Sequence, residues 1–233
     1  MAPTARARVR AEITTEIVDT ARRHLAEQGP ATLSLRAVAR DVGMVSSAVY
    51  RYFPSRDELL TRLIIDAYGA VADEAEAADA SRRRSDHAGR WLAVSRAIRR
   101  WAADHLQEYG LIYGSPVPGY RAPVDTIDPA ARVSAVFLTL VSDASAAGEI
   151  AARPQGERAA PMPAGVRADL VRLRELAALD LDDEVLSRSL AVWTQMFGTI
   201  SFELFGHLHN VVEDYDGFFD VQMRAAWRYL TVG

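Results

Sequence analysis

The chain contains no cysteine, which excludes a disulfide framework, a thiolate metal site and thiol-based redox sensing. It also lacks a bilayer-spanning apolar run: the most apolar stretch, residues 133–141, is followed closely by Asp143. Residues 1–10 are basic but have no apolar core of the kind a secretory leader carries. A cytoplasmic location with no membrane partner is therefore expected. Missing too are G-x-S-x-G, the P-loop and H-E-x-x-H. His105 with Glu108, and Glu203 with His207, sit at helical spacings. A di-iron bundle, however, needs two Glu-x-x-His motifs plus two further carboxylates. The order is wrong in the first pair and the spacing in the second, while His207 and His209, two apart, diverge on a helix. No enzyme, no metal site, no catalytic residue and no cofactor are expected. There is no internal repeat, heptad run or strand-period segment.

What remains is a chain of 233 residues, 49% hydrophobic and 25% charged, proportions that fit a folded protein rather than a disordered one. Apolar residues recur at three-and-four spacing almost throughout, so an all-α fold is expected. The first helix should occupy residues 4–28, with Val9, Ile13, Ile17, Ala21 and Leu25 on one stripe, closed by Gly29 and Pro30. Residues 34–60 are the most informative. Ser34 can cap a short helix carrying Leu35, Val38, Ala39 and Val42, and Gly43 ends it. A turn of helix-turn-helix length leads to a second short helix, residues 46–53. Val49 and Phe53 share its inner face, while Ser46, Ser47, Tyr50 and Arg51 fall on other sides. Pro54 stops it, and Ser55 with Glu58 forms an S-x-x-E capping box for a long helix, residues 56–80.

Charge divides unevenly along the chain. Residues 1–62 hold ten arginines and seven acids, a balance of +3, so the remainder carries about −7 of the overall −4. An electropositive head on an acidic body suits directed phosphate binding. No lysine contributes to the head, and arginine is the better bidentate donor.

Residues 8–65 resemble the N-terminal DNA-binding domain of TetR-type transcriptional regulators. The matching elements are the apolar helix over residues 9–26, TLSLRAVARDVG at residues 32–43, Val49 with Tyr50, Tyr52 with Phe53, and Ser55-Arg56 ahead of Leu59-Leu60. So many typed positions at fixed offsets form a specific signal. The resemblance implies a three-helix helix-turn-helix domain, residues 1–55, and a helical ligand-binding and dimerisation domain, residues 56–233. It also implies a double-stranded DNA operator, a small-molecule effector and a homodimer. DNA contact is expected from Ser34, Arg36, Ser46, Ser47, Tyr50, Arg51, Tyr52 and Arg56. Arg36 and Arg51 could reach guanine O6 and N7 bidentately, while hydroxyls suit phosphate. Val45 departs from the pattern, which often has serine or threonine there. If Ser46 caps in its place, it is less free to read a base. Arg6, Arg8 and Arg10 add nonspecific phosphate contacts or form a tail.

Beyond the head, a helix is expected through Trp91, Ile98 and Trp101 to about Tyr109, an irregular connection over residues 114–127, and helices at 128–152, 166–178, 182–210 and 215–231. Trp91, Trp101, Tyr109, Tyr113, Phe137, Trp193, Met196 and Phe197 could line an apolar effector pocket or fill a plain core. Residues 193–208, WTQMFGTISFELFGHL, resemble the penultimate helix of one TetR subgroup, which serves dimerisation. Gly198 and Gly206 permit close approach. Phe202, Phe205 and Leu208, with Phe219 and Trp227 of the last helix, are the expected interface. The expected activity is that of a repressor released from a palindromic operator by a ligand. An activator, a ligand-independent regulator, or a helical ligand-binding bundle that does not read DNA are the alternatives.

Overall fold

The computed structural model describes residues 4–150 and 162–231. They form ten α-helices, two single-turn 3-10 segments and, among these described residues, no strand. Helix α1, Ala5–Gln28, is capped by Thr4, whose hydroxyl accepts from the Ala7 amide at 3.2 Å. Gly29 ends it with φ 76° while its amide closes on the Leu25 carbonyl, the left-handed exit that glycine takes without a Cβ penalty. The expected stripe is buried only from Ile17 onward, and Val9 stands exposed. A 3-10 turn, Pro30–Thr32, leads into α2, Leu35–Asp41, and α3, Ser46–Val49. Gly43, at φ 76°, makes the turn between them. Helix α4, Arg56–Ala80, then starts on the Ser55 hydroxyl, which accepts from the Glu58 amide at 3.1 Å.

Two compact units result. The first contains the chain up to Ala70 together with Asp104–Ala130, and the second contains Val71–Ala103 and the chain from Ala131 onward. The packing division thus falls inside α4 rather than at residues 55–56, and brings α6, Leu106–Tyr113, into the head unit. Its core joins Ile17, Ala21 and Leu25 of α1 to Leu35 and Val38 of α2, Val49 of α3, Leu59, Leu60 and Leu63 of α4, and Leu111 of α6. Polar ties reinforce it: Arg22 of α1 reaches Asp66 of α4 at 3.0 Å and Glu108 of α6 at 3.2 Å. Tyr120 and Thr61 share a hydrogen bond of 2.9 Å.

The second unit holds α5, His87–Asp104, but for its last residue, α7, Ile127–Ala146, from Ala131 onward, and all of α8, Ala164–Leu176, α9, Asp183–Leu204, and α10, Tyr215–Thr231. The single helix expected from Trp91 to Tyr109 is two, because His105 leaves helical geometry at φ −128°, ψ 47° and α6 starts beyond it. Helix α7 closes at Ala146 with Gly148 in the left-handed region, six residues short of its expected end, part of which lies outside the described residues. Helix α9 likewise stops at Leu204, not residue 210. Gly206, at φ 80°, is a terminator rather than a point of close helix approach. Trp91 donates to the Met223 carbonyl at 2.7 Å, and Arg99 bridges Glu203 and Asp216, each at 2.7 Å, so that α5, α9 and α10 pack together.

Candidate nucleic-acid interface

The helix-turn-helix is built from short elements held by buried anchors. Leu35, Val38 and Ala39 fix α2 and Val49 fixes α3, all less than a tenth exposed. The chain beyond Val49 tightens rather than ending: the Arg51 and Tyr52 amides bond to the Ala48 and Val49 carbonyls at 3.2 and 2.9 Å, 3-10-type bonds that finish the expected second helix as a compact turn. Phe53 enters the core from that turn. With one side of α2 and α3 buried, Arg36, Ser47, Tyr50 and Arg51 are left exposed.

Structural ties separate these residues. The side chains of Arg36, Ser46, Ser47, Tyr50 and Arg51 carry no hydrogen bond or ion pair within the described chain, so their polar groups remain available to an outside partner. Ser34 is the N-cap of α2, yet its hydroxyl makes no capping bond. Ser46 is the first residue inside α3 and not its cap, because Val45 holds the N-cap position. The expected diversion of Ser46 to backbone bonding therefore does not occur. Tyr52 is half-buried with the Arg10 guanidinium 5.0 Å above its ring, and Arg10 also donates to the Arg51 carbonyl at 3.4 Å. Arg6, Arg8 and Arg10 thus sit on α1 rather than in a tail, and Arg10 braces the turn that follows α3. Arg56 is committed inward. Its guanidinium donates to the carbonyls of Pro30, Ala31 and Leu33 at 2.8, 3.3 and 3.2 Å, pinning the 3-10 turn to the start of α4.

A second internal brace lies behind the reading helices. His24 of α1 meets Asp41 at the end of α2, Nε2 to Oδ2, at 2.6 Å, and Arg40 adds a contact of 3.1 Å to the other carboxylate oxygen. The hydrogen bond from His24 and then that from Arg40 hold the Asp41 carboxyl below its ordinary value of 3.8. A carboxylate depressed in the folded state stabilises it above its unfolded pKa, and that contribution is lost as pH falls through the folded value. Chemical denaturation should therefore show the stability advantage of the wild type over Asp41→Asn fully present above about pH 5 and shrinking as pH falls through 3.8 and below. An advantage that stayed constant across that interval would show that Asp41 titrates alike in both states.

This head geometry coincides with sequence kinship. Residues 17–63 match the family described as bacterial regulatory proteins, tetR family, and residues 91–226 match the tetracyclin repressor-like C-terminal domain. The chain belongs to the TetR family. It is 40% identical over 221 residues to the HTH-type transcriptional regulator Rv1816 of Mycobacterium tuberculosis, covering 92% of this chain and 91% of that protein, and equally so to its counterpart in Mycobacterium bovis. Among solved structures, the regulatory protein SCO4313 superposes with a TM-score of 0.77 at 37% identity, over 96% of this chain and 98% of that one. A Rhodococcus protein of unknown function shares the fold at 20% identity, with a TM-score of 0.71 over 94% and 95% of the two chains. The protein is thus a TetR-family transcriptional regulator with a helix-turn-helix DNA-binding domain, and not an enzyme.

Within the TetR C-terminal domain, the aromatic residues anticipated as one pocket lining are divided between the two units. Tyr109 and Tyr113 meet at a tilt of 42°, centroids 5.3 Å apart, in the first, where Tyr68 meets Tyr113 edge-on at 5.9 Å. Burial raises the Tyr113 hydroxyl well above the ordinary tyrosine value. The second unit holds a continuous ladder: Trp91 to Phe137 at 5.4 Å, Phe137 to Trp193 at 5.4 Å, and Trp193 to Phe197 at 4.8 Å. Trp91, Trp101, Phe137 and Met196 are buried, whereas Trp193 and Phe197 are half-buried. Of the anticipated interface, Phe219 is fully buried under the Arg99 guanidinium and Trp227 is buried as well, so both belong to the protomer core. Both lie on the buried side of α10, which sequence periodicity alone could not distinguish from a side facing a partner. Leu208 is half-buried beyond the end of α9. Phe202 and Phe205 are exposed, and Leu190 on the same helix and Val221 and Tyr229 on α10 join them as large exposed apolar groups. Among the described residues, no cluster of three or more metal-ligating side chains occurs and no helix is long and apolar enough to cross a membrane.

Proposed function

We propose that this TetR-family regulator is a cytoplasmic homodimeric repressor that occupies a palindromic operator and is released from it by a small molecule. The observation that carries the DNA-reading part is the set of side chains on and around α2 and α3 that are not spent on internal bonds: the exposed Arg36, Ser47, Tyr50 and Arg51, with the half-buried Ser46 beside them. Two such heads on a two-fold axis need two half-sites one helical turn or a multiple apart, which makes the operator palindromic. Dimerisation is assigned to the outer faces of α9 and α10. Ala191, Thr194, Gly198 and Phe202 follow one another there at helical spacing and are all exposed, with Val221 and Tyr229 on α10. Small residues among aromatics permit the close helix approach that an isologous contact requires. Helix α4 contributes residues to both units, so an effector that binds one of its positions better than the other would shift operator affinity.

Fluorescence anisotropy with the DNA flanking the protein's own gene tests the reading. Sequence-specific binding that weakens steeply with salt is expected, and absence of binding at low salt would overturn it. Phe202→Arg, at an exposed position, should keep the thermal transition, convert the dimer to monomer in sedimentation and abolish tight operator binding. A variant that remained dimeric would remove α9 from the interface. A thermal-shift screen of small apolar and amphipathic compounds tests the effector, because a ligand of the native state raises the transition by mass action.

A further inference from the structure

The side chain of Val45, at the end of the turn between α2 and α3, stands mostly in water. It occupies the N-cap position of α3, at φ −67° and ψ 141°, where serine, threonine or aspartate would accept a bond from a first-turn amide; valine cannot, and α3 has no side-chain cap. Nor is its isopropyl group used in packing. It is 72% exposed, whereas Val49, one turn further on, is fully buried. The extended backbone of the cap turns residue 45 out, and the preceding left-handed Gly43 and half-buried Met44 do not cover it. An apolar group therefore displaces a capping group and stands in water beside Ser46 and Ser47, both without internal hydrogen bonds.

The major groove offers one apolar feature that such a group can meet, the C5 methyl of thymine. We propose that Val45 reads a thymine methyl in each operator half-site, an inference that rests on α3 being the DNA-reading helix. Cytosine carries only hydrogen at C5 and the purines present polar edges, so burial of two methyl-bearing groups selects thymine at that step without any hydrogen bond. The contact is complementary to the polar readers beside it. Arg36 and Arg51 favour guanine and depend on charge, whereas the Val45 contribution should be insensitive to salt.

The test uses the full chain and an operator enriched from random duplex DNA by in vitro selection. Each thymine of a half-site is replaced in turn by deoxyuridine, which removes the C5 methyl and preserves every pairing group. Affinities are measured for the wild type, Val45→Ala and Val45→Thr. One thymine position should cost the wild type about fourfold in affinity per half-site, or about fifteenfold when both half-sites are changed, as loss of a buried methyl predicts. Val45→Ala should bind the thymine and deoxyuridine operators equally well. Val45→Thr supplies a capping hydroxyl and should melt at a higher temperature than the wild type, which confirms that position 45 is the cap. If no thymine is sensitive, or if the sensitivity persists unchanged in Val45→Ala, the proposal is overturned while DNA reading stands. Failure of the selection to enrich any sequence would overturn both.

Discussion

Replacing Arg36 with alanine is expected to weaken operator binding about tenfold per half-site, about a hundredfold for a dimer on two half-sites, and to leave the thermal transition unmoved. The asymmetry follows from geometry. Arg36 lies in the first turn of α2, is exposed, and has no hydrogen bond or ion pair within the described chain. Its removal therefore takes nothing from the fold. A bidentate arginine on guanine is worth about 1–3 kcal/mol of discrimination, and the lost affinity should be greatest on the selected operator and small on random DNA. Tyr50→Phe, which removes only the exposed hydroxyl, should weaken binding without that change in preference if the hydroxyl meets phosphate. Arg56→Ala is the control for a structural arginine. Three backbone carbonyls accept from its guanidinium, and hydrogen bonds to a charged group contribute about 1.5–3 kcal/mol, so this variant should melt lower as well as bind less. Anisotropy titrations beside thermal melts separate the two patterns. Equal destabilisation by Arg36→Ala and Arg56→Ala would contradict the division between reading and bracing residues.

That division was only half visible in the sequence. The punctuation of the head was legible because it depends on local chemistry: Gly29 and Gly43 at left-handed exits, Pro54 as a stop, and the Ser55 hydroxyl on the Glu58 amide. Which arginine faces outward was not legible, since Arg36 and Arg56 both precede apolar helical runs and differ only in a tertiary partner, the carbonyls of residues 30–33. Register within a face was lost for the same reason in α10, where Phe219 and Trp227 pack inward while Val221 and Tyr229 stand out. The break at His105 follows no proline or glycine in its immediate vicinity, so nothing local marked the split between α5 and α6. Buried charge left no local mark either: nothing in the residues around Arg90 sets it apart from a surface arginine, yet it is fully buried.

Arg90 carries the largest stability effect expected in the second unit. It sits in the first turn of α5, with its Nε and Nη2 on the two oxygens of Asp79 at 2.8 and 3.1 Å and its Nη1 on Asp143 at 2.8 Å and on the Arg84 carbonyl at 3.1 Å. Burial by itself disfavours the charged guanidinium, but the bonds to Asp79 and Asp143 outweigh it and hold its pKa above the ordinary value. The charge therefore stays in place when a partner is removed. Asp79→Ala should cost about 3–5 kcal/mol in equilibrium denaturation, since an incompletely compensated buried charge is the expensive outcome. Arg90→Met should cost less, because the carboxylates it leaves behind are 16% and 28% exposed and can take up water, and Arg84 still reaches Asp143 at 2.9 Å. A cost below about 1 kcal/mol for Asp79→Ala would mean that the site relaxes and hydrates the guanidinium. The position of the pair gives the measurement a second use. Asp79 lies in the last turn of α4, a helix that contributes to both units, and losing its partner frees that end to fray. Hydrogen exchange in the last turns of α4 should therefore accelerate in Asp79→Ala well below the global transition, whereas Arg96→Ala, which breaks only the exposed pair with Asp220 joining α5 to α10, should leave those amides protected.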